Sequence, residues 1–78
     1  IREGDSEKVF TYASATEFSV RLDERKNSYK DLHCSPTGVI EMISHTPEAS
    51  YYTVVFQGVA PGTCRLESNN FSAMITIE

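Results

Sequence analysis

The sequence predicts an all-β chain, a small antiparallel β-sandwich of six to seven strands. Three observations carry that expectation. The last quarter, from Val54 to Glu78, reads as strand, Gly-Pro-Gly corner, strand, Ser-Asn-Asn turn, strand. Glu17-Phe18-Ser19-Val20-Arg21-Leu22-Asp23 alternates with period two, Phe18, Val20 and Leu22 on one face and polar residues on the other, as a half-buried strand does. The only two cysteines, Cys34 and Cys64, fall at inward-phased, strand-like positions where one disulfide could staple the domain.

A chain of 78 residues makes one domain, spanning 1–78. At this size only about 60–65% of the unfolded chain's surface is buried, so the core is small and a covalent staple matters. The hydrophobic fraction of 40% and charged fraction of 23% fit a folded domain and argue against disorder. A net charge of −4 argues against a nucleic-acid partner, which requires a basic face. The acidic residues are scattered and read as a solvated outer surface. No run reaches the roughly 20 apolar residues of a membrane-spanning helix. The chain opens on Ile1 and stops inside a strand, which suggests a mature product or a module excised from a longer chain.

The cysteines admit two readings. A Cys34–Cys64 disulfide would close a loop of about 30 residues and stabilise by roughly 3–4 kcal/mol on the chain-entropy model. It would also place the chain in an oxidising compartment: periplasm, cell surface, virion or secreted medium. The alternative is two buried free thiols in a reducing compartment.

Along the chain, residues 1–8 are polar and are expected to fray. Val9 to Tyr12 reads as a short edge strand. Residues 23–33 carry much of the charge and read as a connection with room for one or two helical turns, which Asn27 or Ser28 could cap. Cys34-Ser35-Pro36-Thr37-Gly38 is a turn by composition. Val39 to Ser44 reads as a strand and 45–50 as a loop, because Pro47 cannot donate to a central ladder. Tyr51 to Gln57 is the most β-prone segment and suits a central strand. Gly58 to Gly62 is a tight corner. Cys64 and Leu66 face inward on the next strand, and Phe71, Ala73, Ile75 and Ile77 line one face of the last.

The segments Phe18-Ser19-Val20-Arg21-Leu22, Val54 through Leu66, and Ser72-Ala73-Met74-Ile75-Thr76-Ile77 resemble the bacterial immunoglobulin-like (BIG-type) domain. In that family a strand ends in a Gly-Val-x-Pro-Gly-Thr corner, matched here by Gly58-Val59-Ala60-Pro61-Gly62-Thr63. The resemblance covers about residues 50–78 well and 15–22 loosely. It implies an Ig-like sandwich serving as a binding or spacer module. A cysteine pair across the sandwich is closer to vertebrate-type immunoglobulin domains, although this chain has no Trp to pack on it. A related Ig-like family of bacterial and protozoan cysteine-protease inhibitors carries an Asn-Pro-Thr-Thr-Gly run and an Arg-Pro-Trp-type loop; neither is present here.

No catalytic signature is visible, and the chain reads as a non-enzyme without a cofactor. His33, Cys34, His45 and Cys64 with Met42 or Met74 match no metal spacing, and a disulfide would consume both thiolates. A Cys–His nucleophilic pair would need a free, activated thiol. Tyr29, Tyr51, Tyr52 and His45 are the candidate partner-binding residues, since a tyrosine ring is apolar and its hydroxyl wet. Of the adjacent Tyr51 and Tyr52, one is expected to face out unless both pack in a two-sheet core. Asn70-Phe71-Ser72 matches the N-glycosylation pattern but reads equally as a turn asparagine before a strand.

Two functions are in view. The first is a non-catalytic Ig-like interaction or structural module of a cell-surface, periplasmic or virion protein, with a protein or surface glycan as partner and no membrane insertion. Its contacts would come from loops 23–33 and 45–50 or from a strand edge. The alternative is a standalone secreted inhibitor or small ligand-binding protein that inserts a loop, 45–50 or 58–62, into a partner's cleft. The modular resemblance and the chain ends favour the first.

Overall fold

Strands form where the alternation lies. The computed structural model describes residues 1–25, 27 and 29–78, without the side chains of Glu3 and Tyr29. Among the described residues the strands are β1 (Val9–Tyr12), β2 (Glu17–Asp23), β3 (His33–Ser35), β4 (Ile40–Pro47), β5 (Tyr51–Gly58), β6 (Gly62–Ser68) and β7 (Phe71–Ile77). They build a four-stranded sheet in the order β1-β7-β6-β3 and a three-stranded sheet in the order β2-β5-β4. Pairing is antiparallel except between β1 and β7.

The inward sets are those that period two assigns. Phe18, Val20 and Leu22 of β2, Tyr52, Val54 and Phe56 of β5, Cys64 and Leu66 of β6, and Phe71, Ala73, Ile75 and Ile77 of β7 are all buried in one core. Burying each large side chain contributes about 1.5–3 kcal/mol, the main favourable term. The two sheets meet through aromatic rings. Tyr12 of β1 stacks on Phe18 of β2 at 4.3 Å between centroids, and Phe18 lies 5.9 Å from Phe56. Burial pushes the Tyr12 hydroxyl pKa up, with a smaller contribution from the Asp5 charge.

Two expectations need correction. Cys34 and Ser35 belong to strand β3 rather than a turn, because they pair with Leu66 and Arg65 of β6. β4 continues past Ser44 through His45 to Pro47. It is an edge strand of its sheet, where a missing amide is tolerated, and its register shifts between Met42 and Ser44 as at a bulge. As expected, the 23–33 connection contains a helical turn, and among its described residues this is the 3₁₀ turn Tyr29–Asp31; Ser28, the other expected cap, lies outside the described residues.

The amino-terminal residues are also held. Arg2 bridges Arg21 in parallel, covering the free edge of β2 around Arg21, and the Arg21 amide donates to the Ile1 carbonyl at 2.8 Å. A 3₁₀ turn, Glu3–Asp5, then carries the chain to the other sheet. The Asp5 carboxylate accepts from the Arg2 amide at 3.0 Å and from Lys8 Nζ at 3.1 Å. The Arg2 bond first, and Lys8 second, hold its pKa below the usual aspartate value. A lowered pKa stabilises above the unfolded-state value, about 3.9, and that stabilisation is lost as pH falls through the folded value. Hydrogen exchange at pH 5 and at pH 3 should therefore show amides of residues 1–8 losing protection in acid while those of β5 and β7 keep theirs; parallel loss would refute the local role of Asp5.

The disulfide is present. Cys34 and Cys64 are bonded, with Cα atoms 5.6 Å apart. It does not cross the sandwich, since β3 and β6 are neighbours in one sheet and Cys34 sits opposite Leu66, diagonal to Cys64. The Pro-Gly corner has the geometry its residues suggest. Gly62 has φ +150, and a Cβ there would approach Val39 Cγ2 to 3.3 Å. At Gly58 the constraint is space: a Cβ would lie 2.9 Å from Ile77 Cδ1.

Candidate functional site

Strand direction sorts the loops into two ends. Asp23 of β2 lies opposite Tyr51 of β5, and Pro47 of β4 opposite Tyr52. Residues 24–25, 27 and 29–32 therefore emerge together with 48–50, and the Glu24 amide donates to the Ser50 carbonyl. His33 pairs with Glu67 and Ser68 with Phe71, which brings the 69–70 turn to the same end. The opposite end holds 13–16, 36–39 and 59–61, tied by Ala15 N–H to Gly58 O and Val59 N–H to Val39 O. The two loops expected to engage a cleft, 45–50 and 58–62, thus lie at opposite ends and cannot form one surface.

Asn27 organises the first end. It is fully buried, and its Oδ1 accepts the Asn70 amide at 2.8 Å, so the long 24–32 connection is fastened to the 69–70 turn. Its own amide donates to the Asp23 carbonyl. In the sequence Asn27 reads only as a turn cap, because a buried tie between two distant loops leaves no local signature. Replacing Asn27 with Ala leaves the Asn70 amide without that acceptor, at a cost of about 1–3 kcal/mol. Chemical denaturation should show the loss, and an unchanged midpoint would mean that water replaces the bond.

The predicted binding residues separate. Tyr52 is 1% exposed and belongs to the core, so its ring is not available to a partner. His45 is half-buried and packs edge-on against Tyr52, centroids 6.0 Å apart. Tyr51 points to the outer face of the three-stranded sheet, half-buried beneath the Arg21 guanidinium, whose carbon lies 3.6 Å from the ring centroid. The Tyr29 side chain lies outside the described residues. Of the four, only Tyr51 is seen at the loop end with an outward-facing ring. The free-thiol chemistry that Cys34 or Cys64 would have needed lapses, since both sulfurs are in the disulfide.

Two depressions mark this end. One, of about 490 Å³, is lined by Arg2, Gly4, Arg21, Leu22, Asp23, Ser50 and Tyr51. The other, of about 290 Å³, runs beside the 69–70 turn between Glu7, Arg65 and Glu67. Both are open to solvent.

No protein family matches this chain, and no curated protein does. Among solved structures, the chain is similar to the cysteine protease inhibitor EhICP2 from Entamoeba histolytica at 12% identity, with a TM-score of 0.74 over 100% of this chain and 92% of that one. It is also similar to amebosin in its solution structure, at 13% identity and a TM-score of 0.59, over 100% of this chain and 95% of that one. At these identities the likeness is one of fold.

Proposed function

We propose that this chain is a small, non-catalytic inhibitor of cysteine proteases acting in an oxidising, extracytoplasmic compartment. The observation that carries this reading is the end-to-end fold likeness to EhICP2, which spans the sandwich and its loops. The Cys34–Cys64 bridge supports the compartment. The binding surface is the end formed by 24–32, 48–50 and 69–70, because there a buried asparagine ties two loops and so lowers the entropic cost of docking. This favours the inhibitor over the surface-module reading that the sequence alone suggested. An Ig-like interaction module, with a protein or glycan partner, remains the second reading, supported by the Gly58–Thr63 corner.

The test is titration of papain with the purified chain. Inhibition is expected at or below micromolar concentration. It should weaken on substitution at Ser50 or Asn69 and be unaffected by substitution at Ala60. No inhibition of papain or a second cysteine protease at micromolar concentration would reject the inhibitor reading.

A further inference from the structure

The depression between the amino-terminal segment and the start of β5 has a chemistry unlike the rest of the molecule. The chain carries a net charge of −4, yet two arginines, Arg2 and Arg21, line this pocket against one aspartate. The bridge between Arg2 and Arg21 puts both side chains on one face of the sheet, and both are exposed. Arg21 is held over the Tyr51 ring at 3.6 Å, which presets the guanidinium plane, and the residue is exposed to solvent. The aspartate, Asp23, is already engaged: its Oδ1 accepts the Arg25 amide at 2.8 Å and its Oδ2 lies 3.4 Å from Arg25 Nη2. Among the described residues no carboxylate forms an ion pair with Arg2 or Arg21.

We infer that this pocket is a carboxylate-binding subsite, in which Arg21, preset by Tyr51, and Arg2 grip an aspartate or glutamate side chain of the partner protein. A planar guanidinium takes a carboxylate through two parallel N–H···O bonds, and a second arginine on the same face adds charge without new chain ordering. Ser50, in the loop at the candidate binding end, lines the same pocket, so a carboxylate bound here would sit at the rim of the docking surface. The partner's identity rests on the inhibitor reading; the carboxylate site does not.

The experiment has two arms on the intact chain. In the first, amide and arginine side-chain NMR signals are followed while acetate is added at constant ionic strength. Saturating shifts are expected at Arg2, Arg21, Ser50 and Tyr51 and should vanish in Arg21→Gln. Shifts that are linear, spread over the surface, or retained in Arg21→Gln would overturn the site. In the second arm, papain inhibition is compared among wild type, Arg2→Gln, Arg21→Gln and Arg21→Lys, each checked for an unchanged thermal midpoint. The inhibition constant is expected to rise at least tenfold in Arg21→Gln, less in Arg2→Gln, and to be only partly restored by Lys, which keeps the charge and loses the fork. Acetate binding with unaltered inhibition by the variants would refute the protein-carboxylate assignment. Acetate binding with no inhibition by wild type would reject the inhibitor reading while leaving the site standing. Inhibition without acetate binding would do the reverse.

Discussion

Replacing Cys34 and Cys64 together with alanine is expected to lower stability by about 3–4 kcal/mol, the chain-entropy value for a closed loop of about 30 residues. For a domain of this size that corresponds to a fall in thermal midpoint of roughly 10–30 °C. Two features raise the expectation. The bridge is the covalent tie of β3, a strand of three residues at a sheet edge that otherwise depends on its ladder to β6. Cys64 is fully buried, so its truncation also leaves a small void against Ile75 and Leu66. Thermal denaturation of wild type with and without reductant, beside the double variant, separates the two contributions. A reduced wild type that melts within a few degrees of the oxidised one would show that β3 and the 24–32 connection are ordered by packing alone.

Tyr52→Ala is expected to cost about 3–5 kcal/mol, the range for removing a buried aromatic from a core. Tyr52 lies opposite Leu22 of β2, with its ring against the His45 ring of β4, in the central strand of the smaller sheet. Tyr51→Ala, one residue away, removes an outward ring and should leave most of the stability intact while weakening partner binding through the loss of the Arg21 stack. Denaturation midpoints and inhibition constants for the two variants should therefore move in opposite proportion. Similar stability losses for both would mean that the outer face of β5 carries more packing than its half-buried residues suggest.

The strands with an uninterrupted period of two were legible. β1, β2 and β7 lie where the alternation puts them, and the inward residues of β5, β6 and β7 are the buried ones. The misses have physical causes. β3 looked like a turn because Ser35, Pro36 and Gly38 dominate its neighbourhood, and its strand character comes from β6, distant in sequence. β4 looked finished before Pro47 because a proline excludes a central strand, whereas nothing local says that a strand lies at an edge. The candidate site was harder still. Tyr51 and Tyr52 are chemically equal in the sequence, and only sheet stacking decides which one meets solvent. Asn27 and Asn70 are brought together by the closure of two loops, and Arg2 meets Arg21 only because the first residues fold back along β2.

That fold-back has a consequence for self-association. Residues 1–2 lie against the outer rim of β2 and residues 9–12 pair along the outer rim of β7, in the other sheet. Peeling this single segment would bare two separate rows of backbone donors and acceptors, facing different ways. Each bared edge can pair antiparallel with a bared edge of another copy, and because there are two of them a molecule docked through one still presents the other. The product would be a growing chain of copies, not a closed pair. The chain's first residues therefore shield one edge of each sheet from such pairing.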